Sequence, residues 1–175
     1  AGYEFEDEIE FYAKHTGTED FAVVGLLDNI WVIRVTSHVP FRKIPEFITR
    51  ENVLSKILLG YDTMRQVGIV DPRIAVAALN VHGGEGGLYG DDEIRAIKPA
   101  IEEASKRGIN VTGPLPADTI FVRAQRGDFD LVVSMYHDQA NIAIKLMAFA
   151  RGITVGGGLP IVYTTTAHGT AFDIA

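Results

Sequence analysis

Three short apolar runs constrain the fold of this chain more than any other feature, because each has the length of a buried strand. The runs cover residues 31–37, 75–81 and 131–136, and each is followed at once by a histidine: His38, His82 and His137. In an open α/β sheet the carboxyl ends of the strands line the ligand crevice. We therefore expect the three imidazoles to converge at one edge of a sheet, where together they would bind one metal ion.

A single histidine is more often a surface or core residue than a metal ligand. The separations of 44 residues (38 to 82) and 55 residues (82 to 137) match no local zinc motif, so spacing alone is a weak signal. The shared position after a strand is what favours a metal site. Imidazole ligands suit zinc, although cobalt, nickel, manganese or magnesium would support the same Lewis-acid role.

The rest of the chain alternates between strand-like and helix-like patterns. Residues 21–27 and 30–36, joined by Asp28 and Asn29, predict a β-hairpin. A long amphipathic helix follows, and a second helix from Asp91 should be kinked or split by Pro99. Further strands are predicted at 73–80, 109–112, 130–135 and 161–165, and further helices at 117–125 and 141–150. This alternation predicts a three-layer α/β/α domain with a largely parallel sheet covered on both faces.

Composition excludes several classes of protein. The 175 residues are 47% hydrophobic, and no apolar run approaches the roughly 18 residues of a membrane span. The net charge of -7 argues against a nucleic-acid partner, which normally meets a basic surface. The absence of cysteine favours a cytoplasmic protein. Because the chain begins with alanine and stops inside what reads as a continuing motif, we expect it to be a domain of a longer protein.

Several polar residues near the strand ends have two interpretations. Asp138 either caps a helix or orients His137 as a ligand, and either Asn80 or Glu85 is placed to orient His82. The turn at residues 113–118 starts a helix, although Asp118 would also be placed to face the crevice. Lys145, on a mostly apolar helix, either extends into solvent or binds an anion such as a substrate phosphate.

Four ordered motifs resemble one enzyme family. They cover residues 79–87 (LNVHGGEGG), 110–119 (NVTGPLPADT), 135–139 (MYHDQ) and 167–171 (AHGTA). Together they are similar to the 4-hydroxythreonine-4-phosphate dehydrogenases of vitamin B6 (pyridoxine) biosynthesis and to the related dehydrogenases of threonate and erythronate 4-phosphate. The resemblance runs along the whole chain but covers only the middle to late part of a family member, which is nearly twice as long.

The resemblance implies a fold like that of isocitrate and isopropylmalate dehydrogenases, an NAD cofactor and a homodimer with a shared active site. It implies a divalent metal on His38, His82 and His137, two from one subunit and the third from its partner. It also implies that Lys145 binds the substrate phosphate and that Asp118 and Asp138 lie near the reacting carbons. The stretch implied to contact NAD consists of His168, Gly169, Thr170, Ala171 and Asp173.

Two positions depart from the pattern of the family. Thr154 stands where many members have an asparagine, and Tyr163 stands where they have an arginine. Both positions are implied to hold the substrate. Because a guanidinium binds an anion through two parallel hydrogen bonds, its loss makes threonate or erythronate 4-phosphate a contender beside 4-hydroxythreonine 4-phosphate.

The resemblance implies NAD-dependent oxidation of a phosphorylated β-hydroxy acid followed by loss of CO2, with one metal ion assisting both steps. Two other interpretations remain open. A metal-dependent hydrolase or acyltransferase on a related scaffold would use the histidines without the stretch at 168–171. Alternatively, the chain is a dimerisation and substrate-side domain that binds ligands but does not turn over by itself.

Overall fold

The computed structural model describes residue 5, residues 7–148 and residues 151–166. Within these ranges, seven strands form one mixed sheet. They are β1 (Ala22–Leu27), β2 (Ile30–Arg34), β3 (Ile74–Ala77), β4 (Val111–Leu115), β5 (Leu131–Ser134), β6 (Ile153–Gly157) and β7 (Thr164–Thr166). The helices are α1 (Glu8–Thr16), α2 (Ile44–Phe47), α3 (Arg50–Gln66), α4 (Lys98–Lys106), α5 (Ala117–Gln125) and α6 (His137–Ala148).

The strand order is β4-β3-β5-β2-β1-β6-β7. Strands β4, β3, β5 and β2 are parallel neighbours, with Val76 of β3 opposite Val133 of β5 and Arg34 of β2 opposite Ser134 of β5. Strand β1 is antiparallel to β2 and β6, and β7 is antiparallel to β6. Five of the seven strands therefore run in one direction, which confirms the largely parallel sheet.

Helices cover both faces of the sheet, because successive side chains of a strand point to opposite sides. On one face Ile33 of β2 packs in a buried cluster with residues of α3 and α4 such as Ile57 and Ile101. On the other face Val32 packs with residues of α5 and α6 such as Ile120 and Ile144. The three-layer α/β/α arrangement is thus confirmed.

Two predicted features agree with the structure in detail. Strands β1 and β2 form the predicted hairpin, in which Leu27 is opposite Ile30 and Asp28 takes a left-handed backbone with φ 52°. The helix after Asp91 is split as predicted: residues Glu93–Ile97 form a π-helical turn, and α4 follows with Pro99 in its first turn.

Other expectations were wrong. Helix α1 and strand β6 were not predicted, and β4 continues through Gly113 and Pro114, which were assigned to a turn. An edge strand tolerates proline because one side of it makes no ladder hydrogen bonds. None of the described helices combines the length and the apolar character needed to cross a membrane.

Candidate active site

The parallel strands bring their carboxyl ends to one edge of the sheet, and the predicted site residues follow them there. His38 follows β2, His137 follows β5, His82 follows β3, and Asp118 follows β4. Since these four strands are adjacent in the sheet, the four residues follow the carboxyl ends of neighbouring strands.

His38 and His137 lie side by side at this edge. The centroids of their rings are 6.1 Å apart. Both residues line a cavity of about 480 Å³, and its wall also includes Lys145, Thr154 and Tyr163. Five of the predicted metal and substrate residues therefore surround one volume, although they come from β6, α6 and two connecting segments.

A chain of hydrogen bonds determines which nitrogen of the His137 ring carries a proton. Arg34 Nη1 donates to Asn141 Oδ1 at 2.7 Å, so the amide nitrogen of Asn141 faces His137. That amide Nδ2 donates to His137 Nε2 at 2.6 Å, which requires Nε2 to be the unprotonated nitrogen. Nδ1 then carries the proton and donates to Asp138 Oδ1 at 2.6 Å. Nε2 is thus the unprotonated nitrogen of the ring, and a metal ion would bind its lone pair in place of the Asn141 amide.

The hydrogen bond from His137 Nδ1 to Asp138 supports the interpretation in which Asp138 orients His137 rather than only capping a helix. Sequence reasoning missed Asn141 and Arg34, which complete the arrangement. It also missed the contacts of Gln139, which ties the start of α6 to two strands. Gln139 Oε1 accepts from the Met135 N–H at 2.7 Å, and its Nε2 donates to the Ala78 carbonyl at 2.8 Å.

His82 lies in a glycine-rich loop with an unusual backbone. Five successive residues, 82–86, have φ between 42° and 75°, including the non-glycine residues His82 and Glu85. This left-handed path suits glycine because it has no Cβ. The His82 ring lies against Tyr89, with 6.3 Å between ring centroids, and His82 does not line the cavity shared by His38 and His137.

Glu93 holds the start of this loop through hydrogen bonds of its buried carboxylate. Its side chain is only 1% exposed, and its carboxylate accepts from the Leu79 N–H at 2.8 Å, the Asn80 N–H at 2.7 Å and Asn80 Nδ2 at 3.0 Å. Asn80 also donates to Asp92. The expectation that Asn80 or Glu85 orients His82 was wrong for Asn80, because its amide is directed to the two carboxylates and holds the loop rather than the imidazole.

Asp118 lies apart from the cavity that Lys145 lines. It is exposed in the first turn of α5, where it lines a neighbouring cavity of about 460 Å³ together with Asp138. Asp138 also lines a smaller cavity of about 300 Å³ that includes His38 and His137. Asp138 thus connects the two predicted groups of residues.

Tyr163 lies in the cavity wall, in the segment between β6 and β7. Its hydroxyl donates to Glu8 Oε2 at 2.6 Å, and burial, reinforced by that bond and the carboxylate charge, raises the pKa of Tyr163 well above its usual range. The side chain at position 163 is therefore a neutral hydroxyl in this cavity. It offers a substrate no positive charge.

The imidazole donors have the chemistry that a divalent transition metal requires. Within the described part of this single chain, however, no three histidine, aspartate or glutamate side chains lie close enough together to hold one ion. Two of the predicted ligands are adjacent and the third is in a different loop. The residues predicted to contact NAD, His168, Gly169, Thr170, Ala171 and Asp173, lie outside the described residues.

Comparison with known proteins gives a consistent family. The family model described as "Pyridoxal phosphate biosynthetic protein PdxA" matches residues 1–175. A 4-hydroxythreonine-4-phosphate dehydrogenase of Desulfosudis oleivorans is 45% identical over 100% of this chain and 52% of its own length. A D-threonate 4-phosphate dehydrogenase of Pectobacterium atrosepticum is 42% identical over 100% of this chain and 54% of its own length.

The structural comparison agrees. The crystal structure of a 4-hydroxythreonine-4-phosphate dehydrogenase from Klebsiella pneumoniae superimposes with a TM-score of 0.91 at 40% identity, and the match covers 99% of this chain and 52% of that one. The chain spans about half the length of the relatives it matches. The motif pattern, the sheet and these matches together show that the chain belongs to the PdxA family.

Proposed function

We propose that this chain forms the metal-binding and dimerisation part of a two-domain, NAD-dependent dehydrogenase that oxidises and decarboxylates a phosphorylated β-hydroxy acid. The observation that carries this proposal is the shared cavity at the carboxyl edge of the parallel strands. It gathers His38, His137, Lys145, Thr154 and Tyr163 from distant parts of the sequence. Membership of a family with named dehydrogenases supports the reaction class.

The histidines His38, His82 and His137 would hold the divalent metal, with zinc as the first choice. When bound, the ion would supply Lewis acidity at the substrate hydroxyl and then at the new carbonyl group. Asp138 keeps the proton of His137 on Nδ1, and a metal ion bound at Nε2 would displace the Asn141 amide from that nitrogen. Because the described residues of one chain do not bring three donors together, a homodimer that completes the site fits the geometry.

The acidic and basic side chains have separate tasks in this proposal. Lys145 binds the anionic end of the substrate from the cavity wall. Asp138, beside both adjacent histidines, and Asp118, across the neighbouring cavity, are the carboxylates available to accept a proton from the substrate. His168, Gly169, Thr170, Ala171 and Asp173 would contact NAD, which accepts the hydride. The acidic net charge supports a small-molecule partner rather than a nucleic acid, and we propose a cytoplasmic location.

The identity of the acid depends on Thr154 and Tyr163. The relatives named above act, by their names, on 4-hydroxythreonine 4-phosphate and on D-threonate 4-phosphate, at similar identities of 45% and 42%. Since Tyr163 is neutral and bonded to Glu8, it does not replace an arginine. Threonate or erythronate 4-phosphate is therefore a contender beside 4-hydroxythreonine 4-phosphate as the substrate of this chain.

The test uses the longest natural polypeptide that carries this chain. It is incubated with NAD, one divalent metal at a time, and 4-hydroxythreonine 4-phosphate, D-threonate 4-phosphate or D-erythronate 4-phosphate. NADH and CO2 formed in equal amounts, and lost on chelation of the metal, are the expected result. Phosphate release without NADH would instead indicate a hydrolase, and acyl transfer without NADH an acyltransferase. Binding of metal and acid with no product would indicate a non-catalytic domain.

A further inference from the structure

Arg34 has a feature that the proposed reaction does not explain. It is the last residue of β2 and lies in the wall of the cavity that contains Lys145. Its Nη1 donates to Asn141, but its Nε is buried and has no hydrogen-bond partner. Among the buried side-chain nitrogen and oxygen atoms of the described residues, this Nε is the one that lacks a partner.

The charge of Arg34 is also incompletely compensated. Burial lowers the pKa of Arg34, and the negative charge of Asp7 opposes this shift only in part. None of the ion pairs between described residues includes Arg34. A buried cation without a paired anion is unfavourable, and a guanidinium does not relieve the cost by losing its proton. The wall of the cavity therefore carries a positive charge that lacks a hydrogen-bonded counter-ion.

The two carboxylates that the described residues contribute to this cavity wall have other partners. Asp7 Oδ1 accepts from the Glu10 N–H at 3.0 Å and caps α1, while Glu8 accepts from the Tyr163 hydroxyl. Lys145 adds a second positive charge to the wall. Hydroxyl groups of the remaining polar residues supply neutral donors: Ser37, Thr154, Thr165 and Thr166. Two cations and several hydroxyls match an anion with two charges better than a single carboxylate.

We propose that Arg34, together with Lys145, binds the phosphate group of the substrate, and that Arg34 is a specificity-determining residue of this chain. The inference rests on the proposed function for the identity of the substrate, but the phosphate site itself is independent of NAD and metal. The guanidinium provides the positive charge that Tyr163 lacks. Arg34 lines the same volume from the end of β2.

The test is a calorimetric titration of inorganic phosphate, without NAD or metal, into the longest natural polypeptide that carries this chain. Arg34→Met keeps the length of the side chain and removes its charge, and we expect it to raise the dissociation constant at least about tenfold. Arg34→Lys keeps the charge and loses the planar edge, so a smaller increase of about threefold to tenfold is expected. Arg107→Met, which removes an exposed arginine paired with Glu103, is the matched control and should leave the constant unchanged.

A second set of variants separates binding from positioning. Asn141→Leu breaks the connection between Arg34 and His137 but keeps the guanidinium. The dissociation constant of this variant for phosphate should therefore stay within about threefold of that of the unmodified chain. Equal losses in Asn141→Leu and Arg34→Met would show that Arg34 acts only through Asn141, and would overturn the proposal. Unphosphorylated D-threonate is the second probe. If Arg34→Met weakens its binding and leaves that of phosphate intact, the anion is the carboxylate and the proposal is wrong.

The outcomes also distinguish this inference from the proposed function. If Arg34→Met does not fold, as judged by its thermal unfolding, Arg34→Lys decides the question, and unaltered phosphate affinity in that variant contradicts the inference. NADH formation with unaltered phosphate affinity in the Arg34 variants would overturn only the role of Arg34. Arg34-dependent phosphate binding without NADH formation would overturn only the dehydrogenase.

Discussion

At the scale of single residues, the state of His137 is fixed by neighbours that are remote in the sequence. Arg34 is 107 positions from Asn141, yet its donation to the amide oxygen determines the hydrogen bonds of the next two groups in the chain. Because an arginine only donates, the direction of every later bond follows from it. The imidazole is thereby held in one tautomer before any ligand arrives.

Asp138→Asn tests this arrangement. The amide keeps the shape of the carboxylate but loses its charge, and it donates hydrogen bonds as well as accepting them. The His137 proton is therefore no longer fixed on Nδ1. We expect the affinity for zinc to fall about tenfold to a hundredfold. Competition with a chromophoric chelator measures it, and Asp128→Asn, at an exposed ion pair with Arg123, is the control. Equal zinc affinity in the two variants would show that Asp138 does not orient the ligand.

The sequence predicted where the three candidate histidines lie relative to the strands but not which residues contact His137. The position of His38, His82 and His137 after strand-like runs was sufficient to place them at one edge of the sheet. The partners of His137 were only partly accessible, because Asp138 is adjacent in sequence whereas Arg34 is brought in by the pairing of β2 with β5. An arginine in a strand also resembles an ordinary exposed residue until the burial of its Nε is known.

At the scale of elements, the loop that carries His82 depends on a buried carboxylate in the following π-helical turn. Glu93→Gln replaces an acceptor of three N–H groups by an amide with one acceptor oxygen, and its NH2 would face the donors of Asn80. We expect the free energy of unfolding to fall by about 2–3 kcal/mol. Hydrogen exchange of the backbone at residues 79–87 should accelerate more than elsewhere.

The control for this loop is Glu103→Gln on α4, where the carboxylate pairs with Arg107 at the surface. It should leave exchange at residues 79–87 unchanged. If Glu93→Gln destabilises the chain uniformly, with no preferential loss of protection in the loop, the anchoring role assigned to Glu93 is incorrect.

A second element-scale contact joins the starts of β3 and β5. Asp130 accepts from the Arg73 backbone N–H at 2.8 Å and from its guanidinium at 3.0 and 2.7 Å, and these hydrogen bonds lower the pKa of Asp130. A carboxyl group whose pKa is lower in the folded state stabilises that state above its unfolded pKa, and the stabilisation is lost as the pH falls through the folded value.

Asp130→Asn should therefore reduce the free energy of unfolding by about 1 kcal/mol at neutral pH, a modest figure because water screens the half-exposed Arg73. The difference from the unmodified chain should shrink as the pH falls below about 4, toward the folded pKa. Urea unfolding at a series of pH values measures it. If the difference in the free energy of unfolding stays constant down to acidic pH, the charge of Asp130 is not its cause.

Elements with regular hydrophobic spacing were predicted, and those shaped by close contacts were not. Strand β6 was missed because it ends in Gly156 and Gly157, which disfavour strands, yet a Cβ at 157 would lie 2.9 Å from Thr63 Oγ1. Glycine is needed there for close packing rather than for a turn. In the π-helical turn Ile94 is 47% exposed although Ile97, three residues later, is buried, because this turn changes the angle between successive side chains.

At the scale of the whole molecule, one described chain brings together two of the three predicted metal ligands, His38 and His137, while His82 lies in the loop after β3. In the homodimer proposed above, each site would receive one ligand from the partner subunit. A site shared between subunits limits which mixtures of histidine variants can bind a metal ion. A mixed dimer of two variant subunits lacks a different histidine in each subunit. It contains one intact site only if those two histidines are normally supplied to a site by different subunits.

Complementation between His38→Ala, His82→Ala and His137→Ala tests this condition. If two ligands come from one subunit and the third from its partner, two of the three pairings form mixed dimers with one intact site. An equal mixture that re-forms freely should then recover about a quarter of the zinc bound by the unmodified protein, and a similar share of NADH formation. The remaining pairing should recover nothing, and it identifies the two ligands that share a subunit. Unmixed variants and the unmodified protein, unfolded and refolded in the same way, are the controls. Because zinc content is measured independently of turnover, a failure of all three pairings would exclude a shared metal site even if the chain is confirmed as part of a dehydrogenase.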